Sequence, residues 1–166
     1  MKTTIYIIIG INILLVSCGI YSFTGASIPA DAKTVSVEYI TTTASNTPAS
    51  LNQIISDGLK DIFLAQTSLS LIDNQGDLSF SGQITKYHIK PIAIKANESA
   101  AQNRLTIELK IKYNNSLDNE KNFESSFNRY RDFDSSQNLA DVEQILIEEI
   151  TKELIEDVFN KAFVNW

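Results

Sequence analysis

The chain has 166 residues, and its 20 acidic and 14 basic side chains give a formal net charge of −6 at pH 7. This length suits a single domain, and the acidic balance argues against broad nucleic-acid binding, which needs a basic face. With one cysteine and one histidine, the chain can form neither an intramolecular disulfide nor a multi-histidine metal site.

The N-terminus has the pattern of a bacterial lipoprotein signal peptide. Lys2 precedes an apolar stretch, Ile5 to Val16, that is shorter than the roughly 20 residues of a transmembrane helix. The only cysteine, Cys18, directly follows the run Leu15-Val16-Ser17, which together with it forms a lipobox. We therefore predict a cleaved signal peptide over residues 1–17 and lipidation of Cys18. The alternatives are an uncleaved signal anchor and a secretory signal that is cut elsewhere.

The residues that follow the signal peptide predict a tether and then one domain. Two or three acyl chains hold a protein stably on a membrane, so a triacylated Cys18 makes a membrane-tethered periplasmic protein. In many Gram-negative bacteria, an aspartate directly after the lipidated cysteine retains a lipoprotein in the inner membrane. This chain has Gly19 at that position, which favours transfer to the outer membrane. Residues 18–33 are predicted to be the anchor and an extended lead-in, and residues 34–166 a single domain.

The first half of this domain predicts a strand, a helix and a short strand. Thr34 to Tyr39 alternates apolar and polar residues as a strand does, and Thr41 to Pro48 is a polar loop. Apolar residues at helical spacing predict a helix from Leu51 to Gln66, with Ser50 as its cap. Leu69 to Ile72 is a short apolar strand that precedes a turn.

The second half predicts three longer strands and a final helix. In Leu78 to Ile89 the apolar residues change parity near Lys86, which predicts a bulge. Leu105 to Tyr113 alternates without interruption, and Phe123 to Phe133 follows as an aromatic-rich returning strand. A long apolar stripe predicts the last helix, from Ala140 to Ala162.

The order of these elements predicts an α+β fold. Two helices with apolar stripes can both be buried on one face of a single sheet. We expect a two-layer sandwich, with the two helices packed on one face of a mainly antiparallel or mixed sheet of about four strands. The other face of the sheet is expected to be partly open.

No catalytic constellation stands out, so the sequence predicts neither an enzyme nor a cofactor or metal. It contains no GxSxG elbow, Walker loop or HExxH motif. The acidic pairs Glu148-Glu149 and Glu156-Asp157 are adjacent on a helix, where neighbouring residues do not face each other, so they indicate a solvated face. His88 leaves two interpretations open, a general base and an ordinary strand histidine.

Two neighbouring strands carry a candidate ligand-binding site. Lys86, His88 and Lys90 share one parity of the long strand, and Lys110 and Lys112 share the polar parity of the next strand. If these strands pair, the side chains form a basic strip on the exposed sheet face, and lysine is a good point-charge partner for phosphate. We predict that Lys86, Lys90, Lys110 and Lys112 bind a ligand. The alternative is a solvated sheet face.

The returning strand is rich in aromatic residues and arginine, which are typical interface anchors and also ordinary strand residues. Alternation along the strand places Phe123 and Phe127 in the core and Tyr130 outward, with Arg129 and Arg131 on the opposite side from Tyr130.

Four segments of the chain are together characteristic of one protein family. They are Cys18 to Pro29 (CGIYSFTGASIP), Asn103 to Ile107 (NRLTI), Ser135 to Leu139 (SSQNL) and Phe159 to Trp166 (FNKAFVNW). With these segments, nearly the whole chain after residue 17 resembles LptE, the family of lipopolysaccharide-assembly outer-membrane lipoproteins, in particular its Bacteroidetes branch. Only Cys18 corresponds to a functional residue of the family.

The resemblance implies an anchored, non-enzymatic assembly factor. Members of the family have two helices on a small sheet, are attached to the outer membrane through the acylated cysteine, and face the periplasm. They plug a large β-barrel, the LptD-type lipopolysaccharide translocon, and some bind lipopolysaccharide, whose lipid A phosphates would suit the basic strip. Two other functions stay open: a lipid-anchored periplasmic binding module for another anionic ligand, and a hydrolase that uses His88.

Overall fold

Two α-helices and six strands, with one short 3-10 helix at Asn119–Lys121, make up the described part of this chain, which covers residues 28–92 and 101–164 of a computed structural model. In chain order they are β1 (Thr34–Val37), β2 (Thr41–Thr42), α1 (Ala49–Gln66), β3 (Ser70–Leu71), β4 (Leu78–Ile92), β5 (Gln102–Asn115), β6 (Phe123–Asp134) and α2 (Leu139–Phe163). The α+β fold is as predicted, with two more strands than the expected four. The signal peptide and Cys18 lie outside the described residues.

The sheet is mixed. Its order is β3-β1-β4-β5-β6, and β2 pairs with β4 next to β1. The strands β4, β5 and β6 form an antiparallel meander, whereas β1 and β2 run parallel to β4 because α1 lies between them in the chain. The short strand predicted at Leu69 to Ile72 is present as β3. The prediction of a loop from Thr41 to Pro48 is wrong at its start, because Thr41 and Thr42 form β2, which is too short to show alternation.

Both helices pack on the same face of the sheet and bury one continuous core. Phe63 of α1 stacks on Phe80 of β4 with 4.5 Å between ring centroids, and Phe163 of α2 meets the Phe63 ring edge-on at 5.8 Å. Such pairs add specific geometry to the burial of apolar area. No helix in the described ranges is long and apolar enough to cross a membrane.

The two helices begin in different ways. In α2, the side chain of the N-cap residue Asn138 accepts a hydrogen bond from the Ala140 backbone N–H at 3.3 Å. In α1 the predicted cap, Ser50, is wrong: Pro48 is the N-cap residue and no side chain caps the helix. The Leu51 N–H bonds the Pro48 carbonyl instead, and Ser50 lies exposed in the first turn.

A glycine allows the two helices to approach closely. Gly58 lowers the helix propensity of α1, but a Cβ at this position would lie 2.4 Å from Cδ1 of Ile155 in α2. Gly58 near Ile155 and Phe63 near Phe159 and Phe163 also show that both helices run in the same direction. Both helices therefore end at the end of the sheet where β1 and β4 begin.

Candidate ligand-binding face

The open face of the sheet, which is the side away from the helices, holds all the predicted ligand residues. Ladder register is continuous from Leu78 to Ile84 and shifts between Ile84 and Lys86, so the predicted bulge is confirmed. Beyond the bulge, Tyr87 lies in the core and Lys86 and His88 are exposed. The extra residue in β4 thus turns Lys86, His88 and Lys90 to the same side as Lys110 and Lys112.

Two of the four predicted lysines are paired with acids on this face. The Lys86 Nζ lies 3.1 Å from Oε2 of Glu108, and Lys110 contacts Glu124 on β6. The Thr85 hydroxyl donates to the other Glu108 oxygen at 2.8 Å, and these two bonds lower the pKa of Glu108. Glu124 likewise has a lowered pKa because Lys110 bonds it. The basic strip is therefore partly neutralised.

The other two predicted lysines lie at opposite ends of the strip. Neither Lys90 nor Lys112 has a carboxylate within 4.0 Å among residues 28–92 and 101–164. Lys90 remains available to an anionic ligand, whereas Lys112 lies opposite Glu124 on β6 and helps to lower the pKa of that acid. The acids were visible in the sequence, since Glu108 has the parity of Lys110, but only the β5–β6 register places Glu124 beside the lysines.

A cavity of about 640 Å³ opens beside the strip, between β4 and the loop that leads into α1. Lys86, His88 and Lys90 form one wall, and the loop contributes Ser45 and Asn46. Two ammonium groups with hydroxyl and amide donors can hold a phosphate or carboxylate. His88 is exposed, and no carboxylate among the described residues forms a hydrogen bond with it that would orient it as a base.

A second cluster on the open face joins β5 to β6. The Arg104 guanidinium donates two hydrogen bonds of 2.7 and 2.9 Å to Asp132. Its central carbon, Cζ of Arg104, lies 3.7 Å from the centroid of the Tyr130 ring. The pair lowers the pKa of Asp132. Tyr130 is 47% exposed, so it points outward as alternation predicts, whereas Phe123 and Phe127 pack against the core.

The arginines on the other side of β6 bind the second helix, which the sequence did not predict. Arg129 forms two hydrogen bonds of 2.7 and 2.6 Å with Asp157, and Arg131 bonds Glu149 at 2.7 Å and also Glu153. Acidic residues that seemed to form only a solvated face of α2 thus fasten this helix to the edge strand. No group of three acidic, histidine or cysteine side chains in the described ranges could hold a metal ion.

The fold and this face define a two-layer α+β domain with a polar sheet surface suited to binding. Residues 32–162 match the sequence model of the LptE family, described as lipopolysaccharide-assembly, and the chain belongs to that family. No curated protein matches the sequence.

Two solved structures illustrate the fold. A minor lipoprotein from Acinetobacter baumannii is 13% identical, with a TM-score of 0.52 over 78% of this chain and 91% of its own. A hemagglutinin homologue from Helicobacter pylori, described as neuraminyllactose-binding, is 10% identical, with a TM-score of 0.53 over 85% of this chain and 88% of its own. At these identities the likeness shows a common fold and carries no information about ligands.

Proposed function

We propose that this protein is a non-enzymatic lipoprotein of the outer membrane that plugs the β-barrel lipopolysaccharide translocon and helps it to assemble. The observation that carries the proposal is the family match, which extends over almost the whole domain. The lipobox before Cys18 supports attachment to the membrane through acyl chains, with the domain on the periplasmic side.

The proposal extends to lipopolysaccharide as a ligand of the open face. Lys90, which has no carboxylate within 4.0 Å among the described residues, is its strongest candidate contact. Lys112 is a weaker candidate because Glu124 lies opposite it, and Lys86 and Lys110 can bind the ligand only when it displaces their carboxylate partners. The cavity next to Lys90 offers both charge and hydrogen-bond donors to a phosphate group. A periplasmic binding module for another anionic ligand would use the same lysines, without a barrel partner.

The direct test is recovery of the partner. Tagged, lipidated protein is purified from native membranes in mild detergent, and the proteins that accompany it are identified by mass spectrometry. The expected result is a large β-barrel in equimolar amount. Recovery as a free species, under conditions that keep other barrel complexes intact, would contradict the proposal and leave the binding module as the better account.

Cys18→Ala provides the control for the anchor. This variant cannot be acylated, so we expect it in the inner membrane or periplasm and expect little barrel to accompany it. If Cys18→Ala still fractionates with the outer membrane and the barrel, the partner alone retains the protein and the anchor is dispensable.

A further inference from the structure

A second cavity lies on the open face, at the end of the sheet where β4 begins. Its volume is about 690 Å³, and small-molecule sites typically measure roughly 300 to 1,000 Å³. The register of three strands builds its floor in two rows: Ser36, Ser79 and Asn114 lie side by side, and Ser81 lies opposite Lys112 in the next row. Three short serine side chains leave this part of the sheet hollow.

The turn between β3 and β4 forms a wall of the cavity and is held firmly. The Gly76 N–H donates to the Ser36 hydroxyl at 3.1 Å, and Asp77 accepts hydrogen bonds of 2.9 and 3.0 Å from the backbone N–H groups of Lys33 and Thr34. These bonds, with one from the Thr34 hydroxyl, lower the pKa of Asp77, so its carboxylate stays ionised. The wall is thus fixed before any ligand arrives, which reduces the entropic cost of binding.

The chemistry of the lining differs from that of most small-molecule pockets. These are largely apolar, whereas every side chain that lines this cavity is polar, with hydroxyl groups from four serines and amides from Asn74, Gln75 and Asn114. Hydroxyl and amide groups both donate and accept hydrogen bonds. They therefore match a ligand that offers closely spaced donors and acceptors of its own.

The charges of the cavity argue against a phosphate ligand. Glu38 and Asp73 line it together with Asp77, against the single cation Lys112. An anion would be repelled here, in contrast to the lysine-lined cavity near Lys90. These acids do not form a metal-binding group, since the described residues contain no cluster of three potential ligands.

We propose that this serine-floored cleft, formed by Ser36, Ser79, Ser81, Asn114 and the turn at Gly76, binds an uncharged saccharide. Sugar hydroxyls supply alternating donors and acceptors, which the lining can pair without any need for opposite charge. The saccharide could belong to a lipid-linked glycan or to a peptidoglycan strand. Saccharide binding in this cleft does not depend on a barrel partner, so a cleft that binds no saccharide would leave the proposed function unaffected.

Nuclear magnetic resonance can test the cleft in the full-length lipoprotein held in detergent micelles. Two uncharged probes are titrated at millimolar concentration: a neutral oligosaccharide from the outer sugar chain of lipopolysaccharide, and tri-N-acetylchitotriose. We expect saturable shifts of the backbone amides of Ser36, Gly76, Ser79 and Asn114 with one of them, and the probe that binds identifies the source. Absence of shifts with both probes would overturn the proposal.

Two matched variants locate the binding. Ser81→Phe fills the floor of the cleft, and we expect it to weaken saccharide binding by at least about tenfold, as the loss of one or two hydrogen bonds would. Ser126→Phe places the same side chain on the open face of β6, opposite Lys110 and outside the cleft, and should leave binding unchanged. Equal loss in both variants, or shifts confined to the cavity near Lys90, would contradict the proposal.

Discussion

At the scale of single residues, the backbone of Ile40 is satisfied by side chains of α1. The chain bends between β1 and β2. Val37 pairs with Phe80 and Thr41 pairs with Gln83, so the segment between β1 and β2 has one residue more than the part of β4 that it faces. Ile40 is fully buried there, and its N–H donates to the Ser56 hydroxyl at 2.9 Å. The Asn52 amide donates to its carbonyl, also at 2.9 Å. A buried backbone group without such a partner would cost free energy.

Replacement of this buried hydroxyl should destabilise the domain. Ser56→Ala leaves the Ile40 N–H without an acceptor, so we expect the free energy of unfolding to fall by about 1–3 kcal/mol. Urea denaturation followed by circular dichroism measures the change. Ser50→Ala is the matched control on the same helix, and because Ser50 makes no cap, it should change stability by less than about 0.5 kcal/mol. If the control cost as much as Ser56→Ala, Ser50 would cap the helix after all.

At the scale of elements, α2 is fastened to the edge strand β6 by ion pairs. Arg131 lies between Glu149 and Glu153, and Arg129 lies between Glu153 and Asp157. A network of this kind holds the helix in register with the strand, although exposed pairs contribute little individually. The Tyr87 hydroxyl adds a contact near the start of the helix, since it donates to Glu143 at 2.5 Å.

The network makes the attachment of α2 dependent on pH. The hydrogen bond from Arg131 lowers the pKa of Glu153 in the folded protein. The ionised Glu153 therefore stabilises the fold at pH values above its pKa in the unfolded chain, about 4.3, and this stabilisation is lost as pH falls through its lower pKa in the folded protein. Arg131→Gln should therefore reduce the free energy of unfolding at pH 7 by about 0.5–1 kcal/mol. The difference from the unmodified protein should shrink as pH falls below the unfolded pKa of about 4.3, because Glu153 then becomes protonated.

Denaturation at several pH values measures this effect. Lys60→Gln is the control, because Lys60 reaches Asp57 only at 4.0 Å on the surface of α1 and should show a smaller effect. A difference for Arg131→Gln that stays constant between pH 7 and pH 3 would mean that Arg131 stabilises the helix by packing rather than by charge.

At the scale of the whole molecule, charge is divided between the two layers. Helix α2 carries seven acids and two lysines, whereas on the open face the four predicted lysines and Arg104 outnumber their acidic partners Glu108, Glu124 and Asp132. The net negative charge of the chain is therefore concentrated on the helical layer. An anionic ligand that approaches the molecule is repelled from the helices and is attracted to the end of the open face where Lys86 and Lys90 lie.

Removal of two lysines from the open face should weaken lipopolysaccharide binding. Lys90→Ala combined with Lys112→Ala removes the two predicted lysines that have no carboxylate within 4.0 Å in the described residues, and we expect about a tenfold loss of affinity at low salt that shrinks as ionic strength rises. Surface plasmon resonance with immobilised lipopolysaccharide measures it. Lys60→Ala with Lys152→Ala changes net charge equally on the helical layer and should have little effect. Equal losses would show that only net charge matters.

The sequence by itself determined the elements whose signal is local. Period-two alternation in β5 and the apolar stripe of α2 defined these elements to within a few residues, and the parity change near Lys86 identified the bulge. The family was also present in the sequence, because its segments extend along the chain. A short apolar run also identified β3, whereas β2 consists of two polar residues that carry no strand pattern and pair only with β4.

Only the tertiary structure decided which side chains meet. The sequence placed the lysines on one face but not Glu124 beside Lys110, because that contact depends on the β5–β6 register. The prediction that Ser50 caps α1 was wrong because the helix begins after Pro48, whose carbonyl accepts the first hydrogen bond. The Ser56 hydroxyl can accept from the Ile40 N–H only because the fold buries Ile40 next to α1. Parity along a strand is local, whereas pairing across strands is set by the packing of the whole domain.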